Sequence, residues 1–235
     1  GHRVYAQILS ALLVDPSLAE AKGDDFKVGM ARVNITPDYP ILLNGFLSRQ
    51  QVSTGVRQPI WAKAMAIEGD DPNPLILITV DTLGIPAEIH AEVCNRLKPL
   101  GVDPTRVAIT ATHTHTAPII NGCAPNIMAR DFTPQEQKTI DQYTREFTDH
   151  LTEVATSALK NRHPATLQWS VGKVEFAKNR RDNDGPVDHD LPVLAVRDEA
   201  GTLIGVYTSY ACHCVTLAER MIGGDWAGYA VSLIE

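Results

Sequence analysis

Apolar residues recur along the chain with two periods, which predict strands that alternate with helices. Short apolar runs at 75–81 (LILITVD) and 106–115 (RVAITATHTH) are typical of strands covered on both faces. Residues 86–101 between them carry an apolar stripe at helical spacing, formed by Ile89, Val93 and Leu97. A strand, a helix and a second strand in this order predict a right-handed βαβ unit with parallel strands.

The rest of the pattern adds a long helix and several strands. The segment TPQEQ offers Thr133 as an N-cap, followed by a proline at the first helical position and an early glutamate. Its apolar stripe consists of Ile140, Tyr143, Phe147, Leu151 and Val154. Strands are predicted at 26–37, 61–69, 166–177 and 191–213, the last range holding two strands joined by a DEAG turn. The fold class predicted from this pattern is α/β, with a mixed, partly parallel sheet flanked by helices.

Both ends of the sequence leave alternatives open. Residues 1–25 form an N-terminal extension, in which VYAQILSALLV followed by SLAEA fits either a secretion signal or a retained amphipathic helix. Residues 26–235 are predicted to form one α/β domain. A last helix begins at Asp225 or Trp226, and its pattern runs to Glu235 without a C-terminal cap. We therefore expect further chain or a neighbouring subunit to complete the domain and its site.

Composition narrows the classes of function. Hydrophobic residues make up 44% and charged residues 21% of the 235, as in an ordinary globular domain. The net charge of -7 argues against nucleic acid as a partner. Four cysteines are too few and too scattered for a disulfide scaffold. Cys212 and Cys214 flank His213, but on an extended strand they would face away from it, so we interpret them as small apolar residues.

Histidines and a carboxylate follow the predicted strands. In an open α/β sheet, ligands bind beyond the carboxyl ends of the parallel strands. Asp81 follows one strand, His113 and His115 close the next on a shared face, and His213 ends a third. The histidine pair fits half of a zinc site or a polar strand end. Asp81 and Asp225 fit either helix caps or carboxylates that orient the ligating rings.

Eight motifs follow one another from about Val28 to the end of the chain. They are VGMARVNITP, NGFLSRQQVSTGVRQPIWAKAMAI, LITVDTLG, ATHTHTAP, KNRR, VDHDLPVLAVRD, YACHCVTL and GGDWAGYA. Their order resembles the N-terminal catalytic region of the neutral/alkaline non-lysosomal ceramidase family. The set covers nearly the whole chain, and it is more specific than any single motif.

The resemblance implies a zinc amidase that cleaves the N-acyl bond of ceramide. It implies that His113 and His213 ligate Zn²⁺ and that His115 contacts the substrate or assists proton transfer. Arg180, in KNRR, would bind near the scissile group. The family's remaining ligands, a glutamate and a tyrosine, correspond to positions beyond residue 235. Ile119 and Ile120 stand where the family often has a glycine pair.

The leading hypothesis is a zinc-dependent hydrolase of an N-acyl amide bond in a ceramide-like lipid or a related amide, acting through metal-activated water. The apolar loop 117–132 is expected to line an acyl pocket, to contact a membrane surface peripherally, or to pack against further chain. We expect a secreted, periplasmic or cell-surface location. The alternative is a non-catalytic structural or self-assembling protein that retains the fold. A metallophosphatase ranks last, because only Asp81 and Asp225 would supply carboxylates to a two-metal site.

Overall fold

The computed structural model describes residues 19–20 and 26–235. The N-terminal extension predicted at 1–25 therefore lies, apart from Ala19–Glu20, outside the described residues. Ten strands and three α-helices are present in the described part. The strands are β1 Ala19–Glu20, β2 Phe26–Asn34, β3 Gly55–Val56, β4 Trp61–Glu68, β5 Leu75–Val80, β6 Val107–Ala111, β7 His163–Lys173, β8 Asp190–Asp198, β9 Leu203–Thr208 and β10 Met221–Ile222. The helices are α1 Ala87–Leu97, α2 Pro134–Lys160 and α3 Asp225–Ile234.

Seven strands form a mixed sheet in the order β6-β5-β4-β2-β7-β8-β9, and β1 pairs with β7. Strands β5 and β6 are parallel, with Ile76 opposite Val107, whereas β4–β5, β7–β8 and β8–β9 are antiparallel. Helix α1 lies between β5 and β6 in sequence, so the predicted βαβ unit is confirmed. The predicted fold class, a mixed and partly parallel sheet with helices, is also confirmed.

The chain divides into two compact units, the larger of which contains residues 29–162 and 214–229. In it, α2 packs on β4 and α1 packs on α2. The predicted stripes of both helices are buried, and Phe147 at the centre of α2 is fully buried. Burial of these apolar faces against the sheet is the main stabilising contribution to helices of this kind.

Local sequence determines where helix α2 begins. Thr133 is the N-cap, Pro134 is the first helical residue, and the Thr133 hydroxyl accepts the N–H of Glu136. The Glu136 carboxylate accepts the N–H of Thr133 in return, at 2.8 Å, which completes a capping box. Arg130 binds the same carboxylate at 2.8 Å. The predicted N-terminus of this helix is therefore confirmed.

Of the described residues, the smaller unit contains 19–20, 26–28, 163–213 and 230–235. Strands β7, β8 and β9 form its antiparallel sheet, and residues Phe26–Val28 pair with the start of β7. The predicted turn between β8 and β9 is present. The Asp198 carboxylate accepts the N–H groups of Ala200 and Thr202, and Gly201 has a φ of +80°. Among the described residues, no helix combines the length and the apolar content that a membrane crossing requires.

Candidate metal centre

The two histidines of ATHTHTAP lie in a turn rather than on a strand. Strand β6 ends at Ala111, and the N–H of Thr112 donates the last ladder-like bond, to Val80 O at 3.0 Å. His113 then adopts a φ of +62°, which takes the backbone out of the extended conformation. The prediction that the strand continues to residue 115 was therefore wrong, because left-handed backbone at His113 ends it.

Side chains nevertheless continue to alternate between more buried and more exposed positions through this turn. Thr114 and Thr116 are buried, and both of their hydroxyls donate to Gly223 O, at 2.9 and 2.8 Å. The Gly223 N–H donates back to Thr116 O at 3.2 Å. The threonines thus tie the histidine turn to the segment that precedes α3. His113, which precedes Thr114, is exposed, and His115, between the two threonines, is half-buried.

Backbone carbonyls orient both rings. The ring centroids of His113 and His115 lie 5.0 Å apart, with the planes nearly perpendicular. His113 Nδ1 lies 2.6 Å from Leu83 O, and His115 Nδ1 lies 2.9 Å from Gly45 O. An imidazole that donates from Nδ1 carries its lone pair on Nε2. Main-chain oxygens thus orient both rings at Nδ1, and the orienting role predicted for Asp81 and Asp225 stays a prediction.

Gly45 allows the His115 ring to lie where it does. Its φ is +99°, and a Cβ at this position would meet Cγ and Nδ1 of His115 at 2.5 Å. Such a contact is far inside van der Waals distance, so any side chain would displace the ring. Phe46 follows and packs edge-on against His115, with ring centroids 5.2 Å apart. Position 45 was not predicted as part of the site, although a glycine just before an aromatic residue in the motif NGF was a usable signal.

His213 lies in a loop, five residues beyond the end of β9 at Thr208, so the prediction that it ends a strand was wrong. The peptide bond joins it to Cys214, whose carbonyl accepts the N–H of His115 at 3.3 Å. One possible ligand atom from each of His113, His115 and His213 lies within 4.8 Å of the other two. The three imidazoles therefore form a group that could hold a metal ion.

The cysteines beside His213 do not join that group. Within the described residues, the group of side chains close enough to share an ion contains histidines alone. Cys214 is buried, and its thiol donates to Gly224 O at 3.6 Å, while the Cys212 thiol lies 3.9 Å from His213 O. All four cysteines are thiols rather than disulfides. The burial of Cys214 agrees with its interpretation as a small apolar residue, whereas Cys212 is half-buried.

The two candidate carboxylates hold backbone segments around the histidines. Asp81 accepts the Trp61 N–H at 3.0 Å and the Thr112 hydroxyl at 3.2 Å. It does not cap α1, whose N-cap is Pro86 without a side-chain bond. Asp225 is fully buried and accepts three hydrogen bonds, from the Thr216 hydroxyl (2.5 Å), Leu217 N (2.8 Å) and Trp226 N (2.6 Å). It therefore anchors the loop that follows His213.

Arg180 is exposed, in the irregular segment between β7 and β8. The side chain of the preceding residue, Asn179, accepts the N–H groups of Arg181 and Asp182, both at 3.1 Å. This arrangement organises the turn of the KNRR motif within the smaller unit. The assignment of Arg180 to the site stays a prediction.

The loop 117–132 packs largely into the chain itself. Ile119 and Met128 form a small buried cluster with Leu42 and Ile140, and Ile120 belongs to the main core of the larger unit. Because these side chains are buried, they cannot supply a membrane-contacting surface. The described residues show instead that the loop packs within the larger unit, and its predicted roles in lining an acyl pocket or packing against further chain stay predictions.

Arg49 was missed by sequence reasoning. It is 5% exposed, and its guanidinium contacts the carbonyl oxygens of His115 and Asn44, and that of Glu219 at 3.0 Å. Desolvation lowers its pKa to about 10, which still leaves it charged near neutral pH. Arginine is rarely buried, and a single sequence gives no sign that this one is.

Comparison with known proteins identifies the family. The sequence model of neutral/alkaline non-lysosomal ceramidases, N-terminal region, matches residues 26–235. The chain belongs to this family. A neutral ceramidase from Drosophila pseudoobscura pseudoobscura is 25% identical over 243 residues, which cover 96% of this chain and 34% of the relative. One from Pseudomonas aeruginosa is 26% identical over 249 residues, covering 96% of this chain and 36% of the relative.

Solved structures show the same fold. The crystal structure of the Pseudomonas aeruginosa neutral ceramidase matches with a TM-score of 0.75 at 24% identity, over 87% of this chain and 35% of that one. A structure described as ceramidase complexed with C2 matches with a TM-score of 0.73 at 23% identity, over 87% and 34%. The ceramidase-like chain thus spans only about a third of the length of the relatives it matches.

Proposed function

We propose that this chain contributes the N-terminal part of a zinc-dependent hydrolase that cleaves the N-acyl amide bond of a ceramide-like lipid or a related amide. The observation that carries the proposal is the grouping of His113, His115 and His213 in a member of the ceramidase family. Three histidines from two distant stretches of sequence meet there, which a polar strand end does not require. The non-catalytic alternative has no comparable observation in its favour.

The donor set fits zinc. Neutral imidazole nitrogens are common zinc ligands, and catalytic zinc usually has three protein ligands and one open position. With Nδ1 donating to a carbonyl, His113 presents the Nε2 lone pair that a metal needs. We assign His113 and His213 as ligands. When bound, zinc would polarise the amide carbonyl and lower the pKa of a bound water molecule.

We assign His115 to proton transfer. Its ring orientation is fixed at Nδ1 by Gly45 O, so Nε2 is the atom that can take up a proton and later deliver it to the leaving amine. Its half-buried position limits water around the ring without closing it off. Arg180, with a permanently charged guanidinium, is assigned to the developing negative charge on the scissile carbonyl oxygen. That assignment depends on the family motif KNRR.

The test measures metal content and amide hydrolysis in the protein at its natural length, with a fluorescent short-chain ceramide as substrate. We expect about one zinc per chain, and we expect His113→Ala and His213→Ala each to remove the metal and abolish hydrolysis. His163→Ala, at the exposed start of β7, is the matched control and should keep activity within a few fold. Equal tolerance at all three positions would overturn the assignment. An intact protein without metal or amidase activity would favour the structural alternative.

A further inference from the structure

We propose that Arg49 is the positioning residue of the histidine site: its buried guanidinium fixes the backbone on both sides of the His115 ring. The inference rests on the proposed function for its catalytic consequence, but its structural basis lies entirely within residues 29–162 and 214–229. Arg49 touches no reacting atom. It acts through His115.

One nitrogen of Arg49 bridges two segments that meet at His115. Nη2 donates to Asn44 O and to His115 O. The residue after Asn44 is Gly45, whose carbonyl oxygen accepts a hydrogen bond from His115 Nδ1 at 2.9 Å. Arg49 therefore binds the chain immediately before the carbonyl that orients the ring, and also binds the carbonyl of the histidine itself.

The other terminal nitrogen of Arg49 binds the loop that follows His213. Nη1 donates to Glu219 O at 3.0 Å, and the Glu219 carboxylate is held from outside by Arg57. Earlier in the same loop, Cys214 O accepts the His115 N–H. The N–H, the carbonyl and Nδ1 of His115 are thus all fixed by segments that are themselves held by Arg49 or lie next to it.

Packing alone does not explain why the buried side chain at position 49 is charged. Arg49 is 5% exposed, and its hydrogen bonds to other described residues go to carbonyl oxygens rather than to a carboxylate. Its Nε is buried without a hydrogen-bond partner among the described residues. Contact with the Phe46 ring, 5.0 Å from the guanidinium carbon, offsets part of the desolvation cost. A methionine would fill similar space without burying a charge, so the guanidinium is best explained by the three carbonyls it gathers.

The experiment compares Arg49→Met with Arg162→Met in the protein at its natural length. Arg162 is a matched control, since it also binds a carbonyl (Leu159 O, 2.9 Å) and a second partner, Glu68, away from the histidines. We expect Arg49→Met to lower kcat by about 100-fold with KM changed little, because a small displacement of a reacting group costs that much. Arg162→Met should keep the kcat of the parent protein.

A readout that does not depend on turnover separates positioning from general destabilisation. In the metal-free protein, nitrogen NMR of the His115 imidazole should show a single Nδ1–H tautomer, and Arg49→Met should show a mixture of both tautomers. Guanidinium ion added to Arg49→Ala should restore part of the lost kcat, while Arg49→Lys, which lacks the planar fork, should restore little. A single Nδ1–H tautomer together with unchanged kcat in Arg49→Met would overturn the inference.

The experiments distinguish failure of the role proposed for Arg49 from failure of the proposed hydrolase function. If His113→Ala abolishes hydrolysis and Arg49→Met does not lower kcat, the hydrolase assignment stands and Arg49 is not a positioning residue. If His113→Ala retains hydrolysis and zinc, the proposed function fails, and the tautomer of His115 still tests the role of Arg49. Leu97→Ala, a fully buried change in α1, provides a destabilised control that should leave the tautomer of His115 unchanged.

Discussion

The pair of threonines that flank His115 provides a quantitative test of how the histidine turn is held. Both hydroxyls of Thr114 and Thr116 donate to the same oxygen, Gly223 O, at 2.9 and 2.8 Å. Replacing either threonine by valine keeps the branched shape and leaves the carbonyl one donor. Thr116→Val should therefore lower the free energy of unfolding by about 1 kcal/mol, the net value of a typical hydrogen bond. Thr114→Val should cost more, because the Thr114 hydroxyl also accepts the Thr116 N–H at 3.3 Å.

The double change should cost more than the sum of the two single changes. With both hydroxyls gone, Gly223 O is a buried acceptor without the donors it has in the parent protein, and an unsatisfied buried group costs about 1–3 kcal/mol. The coupling between the two positions should thus be about 1 kcal/mol or more. Urea unfolding followed by tryptophan fluorescence, with the dependence on urea unchanged among variants, measures it.

A matched pair on α2 serves as the control. The Thr148 and Thr152 hydroxyls donate to different carbonyls, Thr144 O at 2.8 Å and Thr148 O at 3.0 Å. Valine at both positions should give additive effects, since each carbonyl also accepts a helical N–H. Additive effects at Thr114 and Thr116 as well would refute the reasoning, because the shared carbonyl would then contribute nothing to holding the turn.

Two further predictions concern the larger unit. Phe147→Ala should lower the free energy of unfolding by about 3–5 kcal/mol, because the ring is fully buried. As a control in the smaller unit, Val171→Ala at a half-exposed position should change the free energy of unfolding by less than about 0.5 kcal/mol in the same urea assay. Hydrogen bonding from Arg130, followed by that from Thr133, outweighs desolvation and lowers the pKa of Glu136 from 4.5 to about 2. The ionised Glu136 carboxylate therefore stabilises the fold above pH 4.5, and this contribution is lost as the pH falls toward 2. Urea midpoints at about pH 5 and about pH 3 should therefore differ less in Arg130→Met than in the parent protein; an equal difference would contradict the assignment to this pair.

Local signals predicted the elements that frame the site. The capping box at Thr133 involves residues three apart, and the stripe that ends in buried Val154 follows the helical period. Strand β5 and the parallel pairing with β6 followed from their apolar content and from the helix between them. These features depend on neighbours in sequence, so a single sequence was sufficient for them.

The geometry of the histidines depends on partners distant in sequence, and it could not be predicted in detail. Left-handed backbone is uncommon for residues other than glycine, and position 113 is a histidine, so no glycine marks it in the sequence. Asp225 was compatible with a helix cap or a site carboxylate, and its three hydrogen bonds around Thr216, Leu217 and Trp226 follow from loop packing. The buried position of Arg49 also results from tertiary contacts that override the usual exposure of arginine.

The hydrogen bond between Thr114 and Gly223 spans 109 residues of sequence, and this span sets an order of events during protein synthesis. At about 5–20 residues per second, the ribosome needs about 5–20 s to make the residues that separate the two partners. Throughout that interval the emerging histidine turn lacks the segment that anchors it. The geometry that the proposed metal site requires is therefore complete only after residue 223 has been translated, so a chain interrupted before that point would carry the His-Thr-His motif without that geometry.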